Sequence, residues 1–345
     1  MIVVIIAGGS GTRLWPLSIP SHPKHLLKLD KDDKSLLQRT YIRARSLTEK
    51  VYVASESSHI DDVKKQLPEL SENSFVIEPA RRGTANCILA ALIKTSRDNS
   101  ADEPIVFMHA DHFIRDTEAF TRTFNLAVAT SEKFNRIVLI GIEPYRPATA
   151  FGYIHKGEVI DDQINVCNVS SFKEKPDYET AKSFVESGEY LWNAGYFVGS
   201  ANLFKKAMEE NAPDLFESYN KLEGAQSESF HDTYLSLTAN SIDYALIEKI
   251  PDLLVLPASF DWMDIGSFDD LHKAVGGDEQ GNYVLGNVET EDVQNSLIQN
   301  HEEKPVVVIG LDNVVVINSP NGIIVVRKDL SQKVGDVSKR FDQVS

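Results

Sequence analysis

The residues that decide the fold are 2–18, IVVIIAGGSGTRLWPLS, an apolar run that leads into a glycine-rich turn. The run Ile2–Ala7 has the length and β-branched content of a buried strand and is too short for the core of a signal peptide. Three of the four residues 8–11 are glycines, which let a backbone approach a ligand and point its amides inward. Arg13 and Lys24 add two cations, so the segment predicts a phosphate site.

Two familiar phosphate loops do not match this turn. A dinucleotide fingerprint would need a third glycine at Leu14, and no Gly-Lys-Ser or Gly-Lys-Thr follows as in the NTPase P-loop. A glycine-rich turn on its own is also compatible with a plain tight turn. The two nearby cations favour the anion site.

Outward from this segment, short β-branched runs alternate with helical patterns. The alternation predicts an α/β fold, a Rossmann-like, mostly parallel mixed sheet flanked by helices, with ligands beyond the carboxyl ends of its strands. The further strands predicted in this half are Val51–Ala54, Phe75–Glu78, Pro104–His109 and Ile137–Ile142. The predicted helices are Ser35–Leu47, Ser58–Leu67, Thr84–Ser96 and Glu118–Lys133.

The pattern becomes mixed after Ala148 and changes again after Gly276. Strands are predicted at Tyr153–Ile154 and Val166–Phe172, and helices at Tyr178–Gly188, Ala201–Glu210, Asp214–Leu222 and Phe230–Leu237. The last part contains short β runs at Tyr283–Val288, Ser296–Gln299, Val306–Ile309, Val314–Ile317 and Ile323–Val326, then a helix at Asp329–Lys339. We therefore expect a large domain over residues 1–276 and a small β-rich region over 277–345, with the regular runs suggesting a short left-handed β-helix.

Composition excludes several classes of function. The 345 residues include 35 Lys and Arg and 51 Asp and Glu, which gives a net charge of −16. A chain this acidic is poorly suited to nucleic acid or an anionic membrane surface. No apolar run reaches the length of a membrane span, and the two cysteines, Cys87 and Cys167, exclude a disulfide framework. These features indicate a cytoplasmic protein.

Two carboxylates follow predicted strands or turns. Asp111 comes directly after the strand Pro104–His109, and Asp264 lies in a turn within 261–266, DWMDIG. Each alone is compatible with a turn or a helix cap. If they converge, the pair could ligate one Mg²⁺ against phosphate oxygens.

Three segments have residue types that bind sugars. Gly152 stands between aromatics, Glu174 and Lys175 follow a strand, and Asn193 follows a tryptophan. Carboxylates, amides and exposed backbone hold sugar hydroxyls, and Lys binds phosphate. Taken singly, the segments are equally compatible with a hairpin, a solvated charge run and core packing.

In combination, eight motifs resemble the mannose-1-phosphate guanylyltransferase family, also called GDP-mannose pyrophosphorylases. The resemblance covers nearly the whole chain, and Trp15, the LWN motif and the SIDYA motif point to the mannose branch of the sugar nucleotidyltransferases. The motifs are GGSGTRLWPLS (8–18), PK (23–24), ADH (110–112), GYI (152–154), EKP (174–176), LWNAG (191–195), SIDYA (241–245) and WMDIG (262–266).

The resemblance implies a fold, a reaction and a set of partners. The fold is that of sugar nucleotidyltransferases, with residues 1–276 as the catalytic domain. The reaction transfers GMP from GTP to α-D-mannose 1-phosphate with Mg²⁺, by in-line attack on the α-phosphorus. The resemblance also implies a short form that ends at Ser345, without the isomerase domain of longer members, and a homodimer.

The family's residue roles carry over to matching positions. Arg13 and Lys24 are the implied catalytic residues. The implied nucleotide contacts are Ala7, Gly8, Gly9, Gly11, Thr12, Glu78, Thr84 and Asp111. The implied contacts to the sugar phosphate are Gly152, Glu174, Lys175 and Asn193, and the implied metal ligands are Asp111 and Asp264.

The chain departs from the family pattern near the expected base site. Gly83 stands where an asparagine is usual, and Asn86 and His25 are also departures. A related nucleotidyltransferase with another sugar or base therefore stays an alternative. A non-catalytic subunit of the same fold is a second alternative, against which the retained Arg13 and Lys24 count. A glycosyltransferase is disfavoured because residues 109–111 lack the first Asp of an Asp-x-Asp motif.

Overall fold

The computed structural model describes residues 1–9 and 12–340, so that the predicted contact Gly11 and the side chain of Thr12 lie outside the described part. Strands β1 to β11 are Ile2–Ala7, Val51–Glu56, Phe75–Glu78, Pro104–His109, His112–Phe113, Val138–Ile142, Tyr153–Asp161, Val166–Lys173, Tyr190–Ser200, Leu254–Pro257 and Met263–Asp264. Strands β12 to β17 are Tyr283–Leu285, Val288–Glu291, Leu297–Asn300, Val306–Ile309, Val314–Ser319 and Gly322–Arg327.

Helices pack on the strands or connect them. Helices α1 to α6 are Leu36–Arg45, Ile60–Gln66, Gly83–Asp98, Thr117–Phe134, Tyr178–Ser187 and Ala201–Asn211. Helices α7 to α11 are Pro213–Glu223, Ser227–Ser236, Ile242–Ala245, Phe268–Val275 and Val334–Ser338. Among the described residues, we find no helix that combines the length and the apolar character needed to cross a bilayer.

A mixed sheet forms the centre of the large domain. Within the described ranges it has nine strands in the order β3-β2-β1-β4-β9-β6-β10-β8-β7. Strands β3, β2, β1 and β4 are parallel, whereas β9 is antiparallel to both of its neighbours β4 and β6. Apolar side chains on the two faces of the sheet form two buried cores. The predicted α/β class with a mixed sheet is confirmed.

Two strands of this sheet are absent from the sequence-based prediction. Strand β9 carries a tryptophan, an asparagine and two glycines, YLWNAGYFVGS, so its residues do not alternate as a half-buried strand would. It is nevertheless buried along most of its length between β4 and β6. Strand β10 is four residues long and pairs in parallel with β6.

The C-terminal region is a stack of short parallel strands to which β17 adds antiparallel to β16. Tyr283 of β12 pairs with Leu297 of β14, which pairs with Val315 of β16. Strands β13 and β15 stack in the same way on a second face. This arrangement agrees with the predicted β-helix. The predicted final helix begins as a 3-10 helix at Lys328–Lys333 and continues as α11.

The C-terminal region packs directly on the glycine-rich turn. The side chains of Ser319 and Asn321 donate hydrogen bonds to the carbonyl oxygen of Pro16, each at 3.1 Å. A Cβ on Gly335 of α11 would lie 3.0 Å from Cγ of Arg13. The absence of a side chain at Gly335 therefore allows α11 to lie against Arg13.

Two glycines of the β-helix give a matched test of its packing. Both Gly286 and Gly310 have positive φ, but a Cβ on Gly286 would lie 2.0 Å from the Asn300 carbonyl oxygen, whereas one on Gly310 would meet open space. We expect Gly310→Ala to lower the free energy of unfolding by about 1 kcal/mol, the cost of a left-handed residue. Gly286→Ala should lower it by at least about 2 kcal/mol more, because backbone must move. Urea denaturation of both variants measures this, and equal losses would contradict the packing.

Candidate active site

Lys24 joins two carboxylates that are far apart in sequence. Its ammonium lies 3.0 Å from Oδ2 of Asp111 and donates a hydrogen bond to Oδ1 of Asp264 at 2.7 Å. The Lys24 side chain is only 6% exposed. The predicted convergence of the two aspartates is therefore present, with a lysine between them.

Backbone pairing holds the two aspartates together. Asp111 follows β4, a central strand of the sheet. Asp264 is in β11, which pairs antiparallel with β5 so that Asp264 lies opposite His112. The sequence predicts a turn at Asp264, and this is wrong, because residues 263–264 form a two-residue strand whose partner is the segment beside Asp111.

The charges of this triad stabilise one another. Burial raises the pKa of Asp111 and of Asp264, but the charge and hydrogen bond of Lys24, together with nearby histidine, outweigh it, so both carboxyl pKa values lie below their usual range. Burial lowers the pKa of Lys24, and the two aspartates more than compensate, so its pKa is raised. All three groups are therefore ionised at neutral pH.

A second cluster gathers the predicted sugar contacts. The backbone N–H of Asn193 donates to the Gly152 carbonyl oxygen at 2.8 Å. A Cβ on Gly152 would lie 2.5 Å from Oε2 of Glu174, so only glycine leaves room for that carboxylate. Glu174 is 7% exposed, which excludes a solvated charge run, and the half-exposed Lys175 donates to its Oε1 at 2.7 Å.

Asp243 belongs to the second cluster, although the sequence analysis gave it no role. Its Oδ1 accepts a hydrogen bond from Nδ2 of Asn193 at 2.9 Å. Burial and the nearby charge of Glu174 raise the pKa of Asp243 to about 7. The sequence signal that could have pointed to Asp243 is the SIDYA motif. Asp243 lies in the first turn of the short helix α9, and Ser241 caps that helix.

One cavity of about 220 Å³ connects the two clusters. Arg13, Asp111 and Asp264 line one side, and Glu174, Asn193 and Asp243 line another. His109 also lines this cavity, at the end of β4 between them. Gly195 makes room for it, since a Cβ there would lie 2.9 Å from Nε2 of His109. An anionic cluster with a lysine thus lies beside a cluster of polar groups suited to hydroxyls.

Comparison with known proteins identifies the family of the chain. A model of the nucleotidyl transferase family matches residues 2–281. The chain belongs to the nucleotidyl transferase family. A second model, described as a mannose-phosphate isomerase/GMP-like beta-helix domain, matches residues 286–341.

Individual relatives match this nucleotidyl transferase over nearly the whole of the present chain. A mannose-1-phosphate guanylyltransferase of Escherichia coli is 33% identical over 99% of this chain and 76% of its own length. One of Klebsiella pneumoniae is 33% identical over 97% of this chain and 72% of its own. A crystal structure from Thermus thermophilus, described as a mannose-1-phosphate geranyltransferase, has a TM-score of 0.87 and 28% identity and covers 99% of both chains.

Among the predicted nucleotide contacts of this nucleotidyl transferase, Asp111 belongs to the Lys24 triad, and three others lie where β1 ends. Ala7 ends β1, and the exposed Gly8 and Gly9 follow it at the edge of the sheet where the cavity lies. Gly9 has φ +101°, a conformation that favours glycine. The backbone there is open to a ligand, as the phosphate-site prediction requires.

Glu78 and Thr84, which are also predicted nucleotide contacts, have partners within the protein. Glu78 accepts a hydrogen bond from the Tyr234 hydroxyl and is buried. Oγ1 of Thr84 accepts from the backbone N–H of Ile242 at 3.0 Å. The structure therefore does not bring Glu78 or Thr84 into the cavity, and their role as nucleotide contacts stays a prediction.

The departure at Gly83 has a structural reason. Gly83 has φ +80°, and a Cβ there would lie 2.1 Å from the carbonyl oxygen of Asn240. Nδ2 of Asn86 donates to the carbonyl oxygens of Arg82 and Thr238. The start of α3 is thus packed against the segment that carries Asp243. The backbone of Asn240 occupies the space that a side chain at residue 83 would need.

The two aspartates fit a divalent cation. They converge on the single ammonium of Lys24, and a hard cation takes one or two carboxylates together with phosphate and water oxygens. Within residues 1–9 and 12–340, no group of three or more His, Cys, Asp or Glu side chains is arranged to hold a metal ion by itself. The residues therefore fit a cation that shares its ligands with a bound phosphate.

Asp243 should make stability depend on pH. In the fold its carboxyl keeps its proton up to about pH 7, whereas the unfolded side chain loses it near pH 4. Because the carboxyl pKa is higher in the folded state than in the unfolded state, the free energy of unfolding falls as pH rises between these two values. We expect Asp243→Asn to gain stability over the wild type from pH 4 to pH 8, by on the order of 2 kcal/mol. Urea denaturation across this range measures it, with the exposed Asp232→Asn as control, and a constant difference would contradict the burial of Asp243.

Proposed function

We propose that this nucleotidyl transferase transfers GMP from GTP to α-D-mannose 1-phosphate and releases pyrophosphate and GDP-mannose. The observation that carries the proposal is the single cavity in which Asp111 and Asp264, joined by the buried Lys24, lie beside Glu174, Asn193 and Asp243. The relatives named mannose-1-phosphate guanylyltransferase support the choice of sugar and base. We propose residues 1–276 as the catalytic domain and 277–345 as the supporting region.

The reaction needs neither a covalent intermediate nor a strong general base. A sugar phosphate is already an anion at pH 7, and its oxygen attacks the α-phosphorus while pyrophosphate departs in line. Catalysis then rests on position and on neutralising crowded charge. Lys24 is held at the reacting centre by two carboxylates, and Arg13, whose guanidinium forms no ion pair with a described residue, faces the cavity with its donors available.

Mg²⁺ is the proposed metal, and Asp111 and Asp264 would hold it. When bound, it would neutralise phosphate charge and orient the phosphate oxygens. The protein's own contribution is to hold the two carboxylates at a fixed separation through Lys24 and through the pairing of β11 with β5.

The sugar is selected by groups of fixed orientation. Gly195 N–H donates to Oδ1 of Asn193 at 3.0 Å, which fixes the amide while Asp243 takes its Nδ2. Glu174 N–H donates to Oε1 of Glu248 at 2.8 Å, which fixes the backbone beside the Glu174 carboxylate. These fixed acceptors match the hydroxyls of mannose, and Lys175 provides the cation for its phosphate.

The decisive experiment is a substrate panel. Pyrophosphate release with Mg²⁺ should be greatest for GTP with mannose 1-phosphate when GTP, ATP, UTP and dTTP are crossed with mannose 1-phosphate and glucose 1-phosphate. A maximum at another pair would move the specificity but keep the chemistry. No release from any pair, with folded protein, would overturn the proposal.

Lys24 gives a sharper test of the mechanism. We expect Lys24→Met to lower kcat at least ~100-fold, the range seen when a group that neutralises transition-state charge is removed. Lys28→Met is the matched control, because that lysine pairs with Asp33 on the surface. Steady-state kinetics on both variants, after a check of folding by circular dichroism, decides. A kcat near that of the wild type would exclude Lys24 from the reacting centre.

We also propose that the protein is a homodimer through its β-helix. Strands β15 and β17 line an apolar groove of about 970 Å³. Side chains around it are unusually exposed for their type, including Val307 at 60%, Ile323 at 66% and Val325 at 63%. Contiguous apolar surface of this kind is typical of contacts between proteins.

Changing one side chain should test the dimer. Ile323→Glu places a charge in the groove and should halve the mass measured by light scattering, whereas the same change at Ile42, an exposed isoleucine on α1, should not. A wild-type monomer would refute the homodimer.

We further place the enzyme in the cytoplasm, in keeping with the free and buried Cys87 and Cys167.

A further inference from the structure

A second polar cavity adjoins the active-site cavity. It has a volume of about 170 Å³, and Arg13, Phe151 and Asp264 line both cavities. The far wall of the second cavity contains Arg146 and Gln332, which do not line the first. A ligand at the reacting centre can therefore extend past Arg13 towards Arg146.

Arg146 is held in place without being neutralised by a close ion pair. Its guanidinium lies over the ring of Trp192, 5.9 Å from the centroid, and over that of Tyr145 at 5.7 Å. Its nearest carboxylate within the described part of the chain is Asp270, whose Oδ1 is 3.9 Å from Nη2, beyond hydrogen-bond distance. The guanidinium of Arg146 therefore has N–H donors that can bind a ligand.

Asp270 is itself fixed and connects the two arginines. The Ser267 hydroxyl donates to Oδ2 of Asp270 at 2.8 Å and accepts from its backbone N–H. A Cβ on Gly266 would lie 3.1 Å from Nη1 of Arg13 and 3.6 Å from Oδ2 of Asp270. Both guanidiniums thus line the same cavity as this ordered carboxylate.

The ligand chemistry follows from these donors. Two guanidinium forks beside a reacting phosphate suit phosphate oxygens, which they bind bidentately. This inference rests on the proposed function, in which the phosphate has two sources: the leaving pyrophosphate and the sugar phosphate. Glu174, Asn193 and Asp243 line only the first cavity, so the sugar lies on the side away from Arg146.

We propose that Arg146 completes the binding site for pyrophosphate, the β- and γ-phosphates of the nucleotide. As the sugar-phosphate oxygen bonds to the α-phosphorus, the bond from that phosphorus to the bridging oxygen breaks, and its electron pair leaves with pyrophosphate. In-line geometry puts this leaving group opposite the sugar phosphate. Arg13 and Arg146 then neutralise the negative charge that develops, and Gln332 of the C-terminal region lines the cavity beside them.

Reverse-direction kinetics tests the proposal, with GDP-mannose and pyrophosphate as substrates. We expect Arg146→Met to raise the KM for pyrophosphate at least tenfold and to change the KM for GDP-mannose less than twofold. Arg146→Lys, which keeps the charge and loses the fork, should raise the pyrophosphate KM by about threefold. Arg122→Met on the outer face of α4 is the matched control and should behave as wild type.

The outcomes separate this proposal from the proposed function. If the wild type forms no GTP from these substrates, both fail. If the wild type is active and neither Arg146 variant changes the pyrophosphate KM, only the role of Arg146 fails. A rise confined to the KM for GDP-mannose, or for mannose 1-phosphate in the forward direction, would assign Arg146 to the sugar phosphate and overturn the proposal. Arg146→Lys carries the test if Arg146→Met does not fold.

Discussion

The ion triad of Lys24, Asp111 and Asp264 is the interaction on which the site depends. A buried ammonium is tolerated only with compensating charge, and two carboxylates so close to each other repel without a cation between them. Each partner therefore fixes the others. The triad also joins three separate parts of the chain, because Lys24 follows the glycine-rich turn, Asp111 follows β4, and Asp264 lies just before α10.

The sheet brings the proposed sugar-binding groups to the same place. Strand β9 runs antiparallel between β4 and β6, so Asn193 and Gly195 lie next to the end of β4, where His109 and Asp111 are located. Strand β7 pairs with the first residues of β9, which places Gly152 beside Asn193. The polarity of one strand thus explains why residues more than forty positions apart line a single cavity.

Local sequence signals predict much of this structure and fail at identifiable places. Strands such as β1 and β4 are continuous β-branched or apolar runs, and their buried character is evident from composition. Strand β9 escapes prediction because tertiary pairing, not propensity, makes its polar and glycine residues extended. The motifs brought Lys24, Asp111, Asp264, Glu174 and Asn193 to attention, and the structure gathers all five. Asp243 and His109 were missed because their importance comes from burial beside distant residues.

The contact between the C-terminal region and the glycine-rich turn has a consequence for what holds Arg13 in position. The surface that supports this turn, around Gly335 and Asn321, lies more than three hundred positions later in the sequence than Arg13. The central sheet does not depend on this contact for its pairing, whereas the wall behind Arg13 does. A change that loosens the β-helix from the turn would therefore move Arg13 while the sheet stays intact.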